Sequence, residues 1–206
     1  MDTKKRIEEV AESLFMRYGL RAVTMDDIAS ELGMSKKTIY QFYKDKKSLV
    51  EEVMLVKIQE EEQVIERIME DSSNAIENFV KVSDYLKKVL ATINPVVFWD
   101  VEKYYPEAWK HYCQNKEKHC KVFQEILEQG IREGLFRPEI NTNIIARLRL
   151  QMVDMGFNQD IYPSSEFNLV EVQSQFIEHF IRGVVTEKGM ELLQRYQEQE
   201  LIGPRH

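Results

Sequence analysis

Twenty residues near the N-terminus, Thr24 to Tyr43 (TMDDIASELGMSKKTIYQFY), leave the backbone little choice. Thr24 precedes Ile28, Ala29 and Leu32, apolar positions at helical spacing, and Asp27 stands where a reciprocal capping partner belongs, so a helix is expected over about Met25–Leu32. Gly33 ends it, and Ser35 is placed to cap another helix almost at once. Two short helices joined by so tight a turn must cross rather than run on. Ile28, Ala29, Leu32, Met34, Ile39 and Phe42 supply the apolar seam, with the small Ala29 permitting close contact. This is a helix-turn-helix signature.

The second of these helices shows a polar face. With Ser35 to Lys44 on one helix at roughly 100° per residue, Lys36, Lys37, Tyr40, Gln41 and Lys44 share an arc of about 140°, and Ile39, Phe42 and Tyr43 fill the opposite side as anchors. A recognition helix presents such a face to the major groove. Lys36 and Lys37 can reach guanine O6 or N7, Gln41 can pair an adenine edge, and Thr38 or Tyr40 can donate to phosphate. Lys46 and Lys47 open the next helix, where cations and backbone N–H groups together suit a phosphate. A solvated amphipathic face is the plain alternative. Tyr40 and Gln41 standing among the lysines, directly after a helix-turn-helix turn, favour DNA.

Charge is distributed to match. Met1 to Ser48 carry ten basic and eight acidic residues, net +2, which leaves −9 for the remainder of a chain whose formal charge is −7. A weakly basic head on an acidic body points to an anionic partner for the head alone.

Elsewhere the periodicity is helical throughout. Ile7, Val10, Ala11, Leu14, Phe15 and Tyr18 stripe a first helix stopped by Gly19, and a long helix opens at Lys46, capped by Asp45, and runs through Ile68. Further helices are expected over about 76–93 up to Asn94-Pro95, a short one within 96–112, one after Pro106 that Gly134 and Pro138 stop, and three more over about 143–158, 166–185 and 188–200, with LIGPRH as a frayed end. Only 8 Gly and 5 Pro in 206 residues disfavour a turn-rich β architecture.

Several function classes recede. No apolar run approaches the roughly 18 residues of a membrane span and MDTKKRIEEV has no signal core, so a cytoplasmic protein without a membrane partner is expected. Cys113 and Cys120 on one helix lie roughly 10 Å apart by helical rise and are expected as reduced thiols. His111, Cys113, His119 and Cys120 lack metal-site spacing, so neither metal nor cofactor is expected. The absence of G-x-S-x-G, a phosphate-binding Gly loop or metal-spaced carboxylates argues against an enzyme.

The run TMDDIASELGMSKKTIYQFYKDKKSLV closely resembles the N-terminal DNA-binding domain of the TetR family of bacterial transcriptional regulators, through Thr24, Ile28-Ala29, Gly33-Met-Ser35, Thr38-Ile-Tyr40, Tyr43 and Lys46 with Leu49. GLFRPEINT looks like that family's linker into its dimerisation helices. The resemblance implies an all-α homodimer: an N-terminal three-helix head over 1–48 that binds a palindromic double-stranded operator, and a C-terminal helical bundle over 49–206 for dimerisation and ligand binding. It implies a repressor that a small molecule releases by changing head spacing. Carried over by position, Thr24, Tyr40, Tyr43 and Lys46 become phosphate contacts, and Lys36, Lys37, Thr38 and Gln41 read or flank bases. Lys37 stands where the family often has Gly and Phe42 where it often has His, so base preference does not transfer.

The resemblance also implies an effector cavity among the fourth to eighth helices. Trp99, Tyr104, Tyr105 and Trp109, with Tyr85 and Met152, are the expected lining, although aromatics at helical spacing equally suit core. The wide apolar faces of helices eight and nine suit either core or interface, and the resemblance assigns them to a dimer bundle, with Ile145, Leu148, Phe176, Ile177 and Phe180 as interface residues. Two alternatives stay open: a DNA-binding protein without an effector, and a helical enzyme with a helix-turn-helix-like head.

Overall fold

The structure, a computed structural model, describes the backbone of residues 2–202 and side chains through 198. Ten α-helices follow one another: α1 (Thr3–Tyr18), α2 (Met25–Leu32), α3 (Lys36–Tyr40), α4 (Lys46–Glu70), α5 (Ala75–Leu90), α6 (Val96–Tyr104), α7 (Pro106–Arg132), α8 (Thr142–Phe157), α9 (Leu169–Val184) and α10 (Glu187–Ile202). An isolated antiparallel bridge joins Phe136 and Val185. The fold is all-α, as the sequence predicts.

Where helix ends depart from expectation, a competing hydrogen bond explains the difference. α5 stops at Leu90 rather than near Ile93 because Asn94 turns back to the end of α1, its N–H donating to the Met16 carbonyl at 2.7 Å and its carboxamide to the Arg17 carbonyl at 3.4 Å. That caps carbonyls which a helix C-terminus leaves open. α9 starts at Leu169 because the Asn168 side chain accepts from Glu171, while the Glu166 and Phe167 N–H groups fold onto the Pro163 carbonyl. α10 continues through Ile202, and Gly203 to His206 of the expected frayed end lie outside the described residues.

The described chain packs as two compact units. Residues up to 63 together with 92–115 form the first, and 64–91 together with 116 onward form the second. The first closes around Ile7, Phe15, Ile28, Ile39, Leu49 and Val53, with Val97, Val101, Tyr105 and Ala108 from α6 and α7 completing it. The head residues 1–48 therefore share a core with chain that lies more than forty positions further on.

The second unit centres on Phe79, Phe123 and Phe180, whose ring centroids lie 5.6–6.3 Å apart, surrounded by Ile76, Leu127, Phe136 and Ile181. The turn after α7 is built for close approach: Gly134 takes a left-handed φ of 70°, and the Leu135 and Phe136 N–H groups both donate to the Gly130 carbonyl. The Phe136 ring then lies directly over Gly130, where a Cβ would meet its Cγ at 2.7 Å. Gly130→Ala gains helix propensity of about 1 kcal/mol but forces a fully buried ring aside. The net expectation is a loss of about 1–2 kcal/mol in urea unfolding followed by circular dichroism, an unchanged midpoint being the contrary result.

Candidate nucleic-acid interface

The turn between α2 and α3 is held from both sides. At the start of α2 the Thr24 hydroxyl oxygen accepts the Asp27 N–H at 3.2 Å, and the Asp27 carboxylate accepts the Thr24 N–H and hydroxyl, each at 2.7 Å. Those hydrogen bonds to the ionised form hold the Asp27 carboxyl below its ordinary range. At the other end Gly33 sits at φ 62°, ψ 30°, its N–H donating to Ser30 and that of Met34 to Ala29. A Cβ at Gly33 would meet no neighbour, so the left-handed backbone alone selects glycine here. The Ser35 side chain then caps α3 by accepting the Thr38 N–H at 3.2 Å.

α3 is anchored by Ile39, which is fully buried, and by Tyr43 just beyond it. The Tyr43 hydroxyl donates to Glu8 on α1, and burial together with that carboxylate pushes the phenol far above its ordinary range. Tyr43 was expected both as an anchor and as a phosphate contact, and the structure gives its hydroxyl an internal partner. Phe42 corrects the anchor set. α3 ends at Tyr40, and the Gln41, Phe42 and Tyr43 N–H groups turn back onto the Thr38 and Ile39 carbonyls, so Phe42 leaves the packed side and is 42% exposed. The expected helix through Lys44 is therefore halved, because the cap of α4 at Asp45 requires the chain to reverse first.

Lys36, Lys37, Tyr40, Gln41 and Lys44 are all exposed, and Thr38 is half-buried with its hydroxyl bonded to Ser35 at 2.8 Å. The Lys36 ammonium pairs with Asp26 at 2.8 Å, and this hydrogen bond raises its pKa. So exposed a pair is weak and can be exchanged for another anion. Lys46 is half-buried, its ammonium 3.5 Å from the Arg21 carbonyl, and burial lowers its pKa while Asp100 and Asp27 oppose that shift. At the α4 start the Asp45 carboxylate accepts the Ser48 N–H at 2.8 Å. The helix N-terminus is thus occupied by an acid, which leaves Lys46 to act there as a cation.

One residue behind this surface escaped the sequence reading. Asp100 on α6 is 1% exposed, and its carboxylate accepts the Arg21 N–H at 3.1 Å. An acid between the core residues Val97 and Val101 was the available signal. Around it the Arg21 guanidinium lies over the Tyr104 ring at 4.6 Å, and Lys103 over Trp99 at 4.4 Å.

The six expected effector contacts divide. Trp99 and Tyr104 stand exposed on the first unit with centroids 5.6 Å apart, Tyr105 is buried in that unit's core, and Trp109 stacks on Tyr112 at 5.1 Å. Tyr85 and Met152, both half-buried, belong to the second unit. The expected interface set divides too. Ile177 and Phe180 are buried within the second unit's own core, and Ile145 and Phe176 are half-buried. Leu148 is 50% exposed and shares an apolar stripe of α8 with the exposed Ile144 and Met155.

Among the described residues no group of three His, Cys, Asp or Glu side chains is placed to hold a metal ion, and no helix is long and apolar enough to cross a membrane. Cys113 is exposed and Cys120 is buried, and among the described residues neither forms a disulfide.

An all-α chain whose head buttresses a short, polar, lysine-bearing helix behind a capped turn has the layout of the helix-turn-helix DNA-binding proteins. Residues 7–53 match the sequence model of the bacterial regulatory proteins of the tetR family. The chain is 27% identical over 161 residues to the HTH-type transcriptional regulator YhgD of Bacillus subtilis, covering 74% of this chain and 83% of that protein. It is 22% identical over 188 residues to the HTH-type transcriptional repressor KstR2 of Mycolicibacterium smegmatis, covering 88% and 90%. A solved structure of a transcriptional regulator from Saccharomonospora viridis in complex with choline shares the fold with a TM-score of 0.74 at 22% identity, over 89% of this chain and 98% of that one. The family match thus covers the head alone, and the relatives named above are transcriptional regulators.

The Asp100 contact makes a specific demand on stability. Asp100→Ala leaves the Arg21 N–H without its acceptor and is expected to lower the unfolding free energy by about 1–3 kcal/mol, whereas Asp100→Asn, which retains an acceptor oxygen, recovers most of the loss in the same urea titration. Equal losses in the two variants would show that the hydrogen bond is not the contribution.

Proposed function

We propose that this chain is a repressor: a homodimer that sets two helix-turn-helix heads, residues 1–48, into successive major grooves of a palindromic operator and is released by a small molecule bound in the 49–206 body. The observation that carries this reading is the exposed Lys36, Lys37, Tyr40, Gln41 and Lys44 surface on a helix fixed from behind by Ile39 and Tyr43. Lys37 and Gln41 read base edges, while Lys36 exchanges Asp26 for a flanking base or phosphate. Thr24, Thr38, Tyr40, Lys44 and Lys46 hold phosphates, and Tyr43 acts as their anchor. The repressor name of KstR2 and the choline held by the S. viridis relative support repression and ligand response.

A two-fold dimer supplies the paired heads that a palindrome requires, their half-sites one turn of DNA or about 34 Å apart. Leu148, with Ile144 and Met155, forms the seam of that dimer on α8, joined at its margin by Ile145 and Phe176. The acidic body confines the DNA contact to the heads by repulsion.

Lys46→Ala is expected to weaken binding to all sequences and to lower the log–log salt slope by about one unit, while Gln41→Ala relaxes discrimination at one base position, both read by fluorescence anisotropy on a selected operator. Silence of both variants would remove those two residues from the contact. Leu148→Glu is expected to give a monomer by light scattering that has lost operator affinity. A dimer with undiminished affinity would place the interface elsewhere.

A further inference from the structure

Among the described residues, the second unit contains a cation without a counter-charge. Arg149, on the inward side of α8, is 4% exposed, and its Nη1 is wholly buried with no hydrogen-bond partner. Burial pulls the guanidinium down to about 10, and no neighbouring carboxylate offsets that shift. Other cations of the same unit do find acids: Lys116 pairs with Asp154, Arg147 with Glu117 at 3.4 Å, and Arg182 with Glu178 at 2.5 Å. Asp154, five positions along α8 from Arg149, is thus already engaged by Lys116.

Keeping a desolvated guanidinium unpaired is among the more costly arrangements in a protein, and a leucine or methionine of similar size would avoid it. Its five N–H donors form a planar fork that a carboxylate fits in bidentate fashion. Its surroundings on α8 are apolar. Ala146, one turn before it, belongs to the second core, and Ile145 and Met152, one turn to either side, pack against that core. A cation beside such walls favours an anion that also carries a hydrocarbon part.

We propose that Arg149 is the counter-charge of a ligand, so that the second unit binds an apolar organic anion with its carboxylate on the guanidinium and its hydrocarbon against Ile145, Met152 and their neighbours. The proposal names the ligand class for the effector response proposed above and rests on that reading. Met152, expected from the sequence as an effector contact, lies one turn from the charge.

The test compares the full-length wild type with Arg149→Met, using octanoate and 4-phenylbutyrate against octanol, 4-phenylbutanol and inorganic phosphate at equal concentrations. Circular dichroism first verifies that the variant keeps its helix content, and without ligand it is expected to melt no lower than the wild type. At least one carboxylate should raise the wild-type Tm above both its alcohol and phosphate, and Arg149→Met should weaken that response at least tenfold. The proposal is overturned if alcohols match carboxylates, if phosphate alone matches them, if no carboxylate stabilises the wild type, if the variant responds equally, or if it melts lower without ligand. DNA release is read separately by anisotropy. A carboxylate that binds through Arg149 without releasing DNA would sink the effector reading and leave the anion site standing. Release by a neutral compound that ignores Arg149→Met would do the reverse.

Discussion

The left-handed turn at Gly33 governs what the head can be. Because Gly33 takes φ 62° and hands its own N–H and that of Met34 back to α2, the chain leaves α2 at a fixed angle and Ser35 arrives ready to cap α3. α3 is only five residues long and could not hold a helical shape in isolation. Its order comes from the turn before it, from Ile39 and Tyr43 beneath it, and from the Asp45 cap that starts α4. A recognition surface needs this rigidity, since hydrogen bonds to base edges discriminate only when the donors are held in register.

The support for that surface also reaches far along the sequence. Asn94 closes the end of α1, Asp100 holds the backbone at Arg21, and Val97, Val101 and Tyr105 fill the core under the head. The residues that face DNA in the proposed function therefore occupy a short contiguous stretch, while the residues that fix them include side chains from α6 and α7. A substitution in 92–115 can thus alter the head's stability without touching any residue proposed to contact DNA.

Legibility followed the same division. α2 was readable to the residue because Thr24, Asp27 and Gly33 are local signals whose partners lie within a few positions, and the long helices were readable from apolar period. The end of α3 was not, since its reversal is set by the following cap, and helical geometry continued through Lys44 misplaced Phe42. Long-range contacts were the least legible. Nothing near Asn94 or Asp100 in sequence announces α1 or Arg21 as the partner, and nothing in the α9 stripe marks that Ile177 and Phe180 are buried in the second unit's core. Arg149 was equally silent, because a lone basic residue in a helix looks solvated until burial shows otherwise.

The central claim is that the exposed polar face of α3 reads DNA. An in vitro selection from a random duplex pool with the purified full-length chain tests it most directly. The account predicts enrichment of a palindrome with half-site centres about 10 base pairs apart, bound with an affinity that falls steeply as salt rises. Failure to enrich any sequence, or binding indifferent to salt, would contradict it.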